Sequence, residues 1–204
     1  MFANKLSLAG PAVLTLLVSI FPLPAPAQGT SGPISFSMVV SGGAATCLPN
    51  AKGLVELRSI GNVEVMTVTV LGLPPNTDFD FFVLQVPKSP FGIAWYQGDI
   101  QTDKTGRGHQ QFVGRFSIET FAVAVGSAPA PVTFNGPFPD ASINPPFSPI
   151  QMYHLGLWFN SPTDASAAGC ASTVTPFNGE HDAGIQVLNT SNFPDNSGPL
   201  LSIQ

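Results

Sequence analysis

VEVMTVTVLGLPPNTDFDFFV (Val63–Val83) holds two kinds of strand with a corner between them. In its first half Glu64, Met66, Val68 and Val70 fall on one face, and Val63, Val65, Thr67, Thr69 and Leu71 on the other. That is the period-two pattern of a strand. Pro74 and Pro75 then stop the run, because a proline has no N–H to give to a ladder. Phe79–Val86 (FDFFVLQV) begins a second strand, rich in aromatic and β-branched residues.

Similar stretches lie on both sides. LVELRSI (54–60) precedes Gly61-Asn62, a two-residue turn that makes 54–60 and 63–72 antiparallel neighbours. ISFSMVVSG (34–42) lies before them. IAWYQGDIQT (93–102) and HQQFVGRFSI (109–118) flank the Asp/Gly-rich turn 103–108 and form a second hairpin. ETFAVAVG (119–126) extends the β-rich region. Pro- and Phe-dense residues 128–149 read as a long loop. QMYHLGLWF (151–159), GIQVL (184–188) and residues 200–203 read as the last strands. No run of ten residues has helical period, and no segment repeats at a fixed interval. The pattern predicts an all-β fold with little or no helix. An antiparallel two-sheet sandwich or jelly roll of about nine to eleven strands fits this length.

Leu73-Pro74-Pro75-Asn76-Thr77-Asp78-Phe79 resembles the Leu-x-Pro-x-Thr-x-Tyr corner of fibronectin type III and related immunoglobulin-like sandwiches. Leu73, Pro75 and Thr77 match in type and spacing, and Phe79 stands where that family has Tyr. The resemblance implies a crossing from one sheet to the other at this point. It also implies that the usual hydroxyl-to-backbone bond is missing, so only the packing of the corner survives. The match covers fewer than ten residues and implies nothing about activity.

The 204-residue chain opens with one lysine, Lys5, an apolar run to about Leu23, and the small-x-small triplet Ala25-Pro26-Ala27. Residues 1–27 are therefore expected to be a secretory signal, which leaves Gln28–Gln204 as a single sandwich domain. No later segment is long and apolar enough to span a bilayer. The expected location is extracellular or periplasmic. Without Lys5, six basic residues face twelve acidic ones, which argues against a nucleic-acid backbone or an anionic membrane as partner. Cys47 and Cys170, the only two cysteines, are expected to form one disulfide. Closing a loop of about 120 residues would contribute roughly 4–5 kcal/mol in the chain-entropy model.

Candidates for chemistry are sparse. His109, His154 and His181 are isolated in sequence, so neither a metal nor another cofactor is expected. Glu180-His181-Asp182 is the densest polar triplet, and with His154 it is the weak catalytic candidate. Asp99, Asp103 and Glu119 could supply the paired carboxylates of a glycosidase. No G-x-S-x-G elbow occurs. Trp95, Tyr96, Tyr153 and Trp158 are the candidates for stacking on sugar rings, since Trp and Tyr combine an apolar face with a polar tip. Neighbours on a strand face opposite ways, so one of Trp95 and Tyr96 is expected in the core. The expected function is a secreted, non-enzymatic binding or surface-structural module for carbohydrate or a surface protein. The alternative is a secreted hydrolase using the His/carboxylate candidates.

Overall fold

The computed structural model describes residues 32–122, 150–175 and 177–203. The expected signal (1–27) and the Pro/Phe-rich stretch 128–149 lie outside the described residues. Ten strands are present among those described: β1 (Ile34–Val40), β2 (Lys52–Ile60), β3 (Val63–Leu71), β4 (Asp78–Leu84), β5 (Ala94–Gln101), β6 (Gly108–Gly114), β7 (Phe121–Ala122), β8 (Ile150–Gln151), β9 (His154–Phe159) and β10 (Gln186–Asn189). All named pairings are antiparallel.

Eight strands join in one continuous sheet, ordered β5-β4-β9-β10-β1-β2-β3-β6, and β7 pairs with β8 in a separate short ribbon. The halves β5-β4-β9-β10 and β2-β3-β6 are thus joined in one nearly closed sheet and are not clearly the two separate sheets of a sandwich. Strand β1 is the reason: its residues Ile34–Met38 pair with β2 and its last two, Val39 and Val40, with β10, so it links the halves. The expected hairpin of β5 and β6 does not form: these consecutive strands are the two edges of the sheet, paired to β4 and β3, and they meet at the isolated bridge Thr102↔Gly108 beside their turn. A side chain at Gly108 would press on Ile100 and Val70 at 2.8 Å, so only glycine allows this approach.

The Gly61-Asn62 turn joins β2 to β3 in register from Ile60↔Val63 to Lys52↔Leu71. On β3, Met66, Val68 and Val70 point inward and are buried, as their alternation predicts. Glu64 lies on that same face and is only 4% exposed. It is tolerated because its carboxylate accepts the Phe116 N–H at 2.7 Å and faces Arg115 at 3.8 Å. The inner face also buries Phe36, Val55, Leu57, Phe79, Phe81 and Phe112. Phe81 of β4 stacks on Phe112 of β6 at 5.2 Å, which ties the two halves across the core. Each such side chain contributes about 1.5–3 kcal/mol by burial.

The corner carries the chain from β3, whose neighbours are β2 and β6, to β4, whose neighbours are β5 and β9. Phe79 packs fully buried. A hydroxyl from elsewhere replaces the one that Phe79 lacks. Thr102 Oγ1 donates to Pro74 O at 2.7 Å and accepts from the Thr77 N–H at 2.9 Å. Gly106, with φ +73°, packs its Cα against Leu73 O, where a Cβ would collide.

Other segments depart from the sequence reading. Gln151–Phe159 is split between β8 and β9. Residues Pro199–Ser202 form a 3-10 turn, entered through Gly198 and Pro199, because proline fixes φ and withholds a ladder donor. A six-residue helix, α1 (Pro162–Ala167), precedes Cys170 and is capped by Ser161, whose Oγ accepts from Asp164 N at 3.1 Å. It delivers Cys170 to Cys47, and the two form a disulfide with Cα atoms 5.2 Å apart.

Candidate functional site

Strands β4 and β9 are buried on both faces. On the outer face Phe82, Leu84 and Trp158 form a second small cluster, covered by Phe91 and Phe177. An acidic cleft opens at one end of this cluster. It has a volume of 380 Å³ and is lined by Asp80, Tyr96, Asp99, Asn160, Asn178 and Glu180, with Gly179.

A bulge builds it. The β4–β5 register pairs Phe82 with Tyr96, Phe81 with Gly98 and Asp80 with Asp99, leaving Gln97 as the extra residue. Without the bulge Tyr96 and Asp99, three apart, would face opposite ways. With it they share the outer face with Asp80, and the Tyr96 hydroxyl donates to Asp99 Oδ1 at 2.6 Å. Asn178 donates from Nδ2 to Asn160 O at 2.9 Å and accepts the Asp182 N–H at 2.9 Å on Oδ1. These bonds hold the loop wall in place.

Asp80 is 1% exposed, and among the described residues its Oδ2 has no hydrogen-bond partner. Burial, then the Asp99 carboxylate beside it, then the charge of Glu180 push its carboxyl up to about 7. Tyr96 is raised as well, first by burial and then by its bond to Asp99. The Trp158 indole N–H, directly across the ladder from Asp80, is also buried with no partner among the described residues.

A second concavity of 670 Å³ lies at the seam where β5 and β6 diverge from their turn. Val83, Val113, Phe116, Phe121 and Met152 make its apolar lining, and Trp95, Gln97 and Glu119 stand on it. Trp95 is 64% exposed and Tyr96 46%. The expectation that one of this pair is core is therefore wrong. Strand β5 is an edge, so its inward-facing Trp95 emerges into the seam while Tyr96 faces the outer cleft.

The other candidates are dispersed. His154, the weak catalytic candidate, is fully buried. Its Nδ1 bonds Thr190 Oγ1 at 2.9 Å, and its Nε2 faces the Pro194 and Asp195 carbonyls at 3.2 and 3.1 Å. Burial lowers its pKa. It pairs with Leu84, four ladder positions from the Asp80↔Trp158 pair, or about 13 Å along the strand. Glu180 reaches the acidic cleft, whereas His181 and Asp182 are exposed and do not line it. Thus His154 does not join the 180–182 triplet. Of the carboxylates, Asp99 lies in the cleft and Glu119 at the seam. Asp103 closes its own turn by accepting from Thr105 and Arg107. Trp158 offers no open ring face, and Tyr153 is half-buried against the core. His109 bonds Thr69 across β3 and β6 at 3.1 Å. Among the described residues no three His, Cys, Asp or Glu side chains are grouped to hold a metal ion, and no helix is long and apolar enough to cross a membrane.

Sequence reasoning missed Asp80. The signal was there: a lone acid inside FDFFV occupies every second position with Phe82 and Leu84, on a face those residues mark as buried. What could not be read was the partner, because the bulge sets the register that opposes Asp99. No family model and no curated protein matches the chain.

Proposed function

We propose that the chain is an exported, non-catalytic binding module of β-sandwich type that takes carbohydrate at the seam between β5 and β6. The observation that carries this reading is Trp95, 64% exposed at the edge of a 670 Å³ groove. An exposed indole beside an apolar floor suits the C–H face of a sugar ring, and Gln97 and Glu119 supply polar atoms for its hydroxyls. Export is supported by the apolar lead-in with its Ala25-Pro26-Ala27 triplet and by the Cys47–Cys170 disulfide.

The two tryptophans make the test clean, because Trp158 is buried and Trp95 is not. A panel of neutral oligosaccharides titrated against the protein should change Trp fluorescence saturably for at least one member. The change should persist in Trp158→Phe and vanish in Trp95→Ala. No change across the panel, with the protein folded, would remove the carbohydrate reading.

A further inference from the structure

We propose that the outer-face cleft between β4, β5 and the 177–183 loop is a binding site for a primary ammonium group, seated on the Asp80–Asp99 pair. The argument begins with what the cleft presents. Its lining includes three carboxyl groups, Asp80, Asp99 and Glu180, and no Lys or Arg. Among the donors that line it, Tyr96 Oη is spent on Asp99 and one Asn178 N–H on Asn160 O, which leaves the Asn160 amide and the second Asn178 N–H beside the carboxyl groups. Acceptors dominate, and among the described residues one of them, Asp80 Oδ2, is buried without a hydrogen-bond partner. A buried carboxylate oxygen without a donor is costly. The complement of this surface is a cation that brings several N–H groups.

Ammonium fits better than a metal ion. Calcium wants six to eight oxygens, yet no three acidic side chains are grouped for one ion among the described residues. Asp99 Oδ1 and Asn178 Oδ1 are also committed to Tyr96 and Asp182. An ammonium needs about three acceptors. Asp80 Oδ2 and the second oxygen of Asp99 provide two and water the third, with the Glu180 carboxylate adding negative charge to the lining. The Tyr96 ring, half-exposed at the mouth, offers a π face to the cation.

Binding is coupled to a proton. The titratable groups facing Asp80 are Asp99 and Tyr96 from β5 and Glu180 from the loop, while β9 presents the non-titrating Trp158. The Asp80 carboxyl is pushed up to about 7, so below neutral pH it holds a proton that an arriving ammonium must displace. Affinity therefore rises with pH.

The experiment follows backbone amide shifts of the disulfide-bonded protein during titration with n-propylammonium chloride, with potassium chloride at matched ionic strength as control. Saturable shifts around Tyr96, Asp99 and Gly179 are expected, with affinity about tenfold or more higher at pH 8 than at pH 5.5. Asp80→Asn, checked for folding by its thermal midpoint, should lose both the binding and its pH dependence, and Asp99→Asn should weaken binding. The proposal is overturned if n-propylammonium gives no saturable shift at pH 8, or if Asp80→Asn binds it as tightly as the parent. It is equally overturned if calcium chloride saturates the cleft while n-propylammonium does not. None of these outcomes depends on whether an oligosaccharide binds at the seam.

Discussion

Trp95 and Tyr96 are adjacent in sequence, yet they open onto two concavities of opposite character. The seam groove is apolar, with a largely exposed indole and a few polar atoms at its edge. The outer cleft is acidic, hydrogen-bonded along its walls, and holds a buried carboxylate oxygen without a partner. One edge strand, β5, serves both. Its alternation sends neighbours to opposite faces, and the bulge at Gln97 gathers Tyr96 and Asp99 on one of them. An edge strand with one bulge can thus equip two sites that share a backbone and no side-chain chemistry. The two should respond to different perturbations.

The largest expected effect removes the distinction by breaking what both regions share. Gly106→Ala places a Cβ against Leu73 O at a residue with φ +73°. A loss of about 3 kcal/mol or more in denaturant unfolding is expected, with both regions disturbed together. A loss below 1 kcal/mol would show that the turn yields easily and that the 103–108 turn does not set the position of β5.

Asp80→Asn should act on the cleft alone. The carboxyl rises from 3.8 unfolded to about 7 folded, so between pH 4 and 7 the folded state holds more proton than the unfolded state. Stability therefore falls as pH rises through that window, by an amount on the order of 2–4 kcal/mol. The substitution removes the ionisation, so unfolding of the variant should lose that slope and exceed the parent in stability at pH 8. Trp95 fluorescence should stay as it was. An unchanged slope would mean that Asp80 is not the group responsible.

Thr102→Val tests the corner. It deletes the hydroxyl that donates to Pro74 O and accepts from Thr77 N, leaving polar backbone groups unpaired at a cost of about 1–3 kcal/mol. Thr102→Ser keeps the hydroxyl and should recover most of that. If Ser is destabilised and Val is not, methyl packing and not the bond holds the corner.

The smallest effect on stability belongs to Trp95→Ala, within about 0.5 kcal/mol, because an exposed side chain away from the core contributes little to folding. That contrast with Trp158, fully buried beneath Phe91 and Phe177, is itself a check. Trp158→Ala should cost about 3–5 kcal/mol. Similar costs at the two positions would contradict the burial difference on which the seam reading rests.

Alternation in Val63–Leu71, the turn at Gly61-Asn62, the proline stop at Pro74-Pro75 and the turn at 103–108 are all local features. Each follows from backbone sterics and side-chain period, and each lies in the structure where the sequence places it. The cysteine pairing followed from there being only two. Local rules could not show that β1 joins both halves into one curled sheet, because pairing partners far apart in sequence are chosen by the packing of the whole core. They could not show that Pro199–Ser202 turns in place of extending, or that Trp95 emerges at a seam. Above all they could not place Asp80 opposite Asp99. One extra residue in β5 shifts that register, and in a strand such a shift exchanges the faces of every side chain beyond it. The sequence by itself determined the strands, their turns and the residues able to be core. The tertiary structure alone decided which acids meet, because a contact between strands depends on register, and register is a property of the pair.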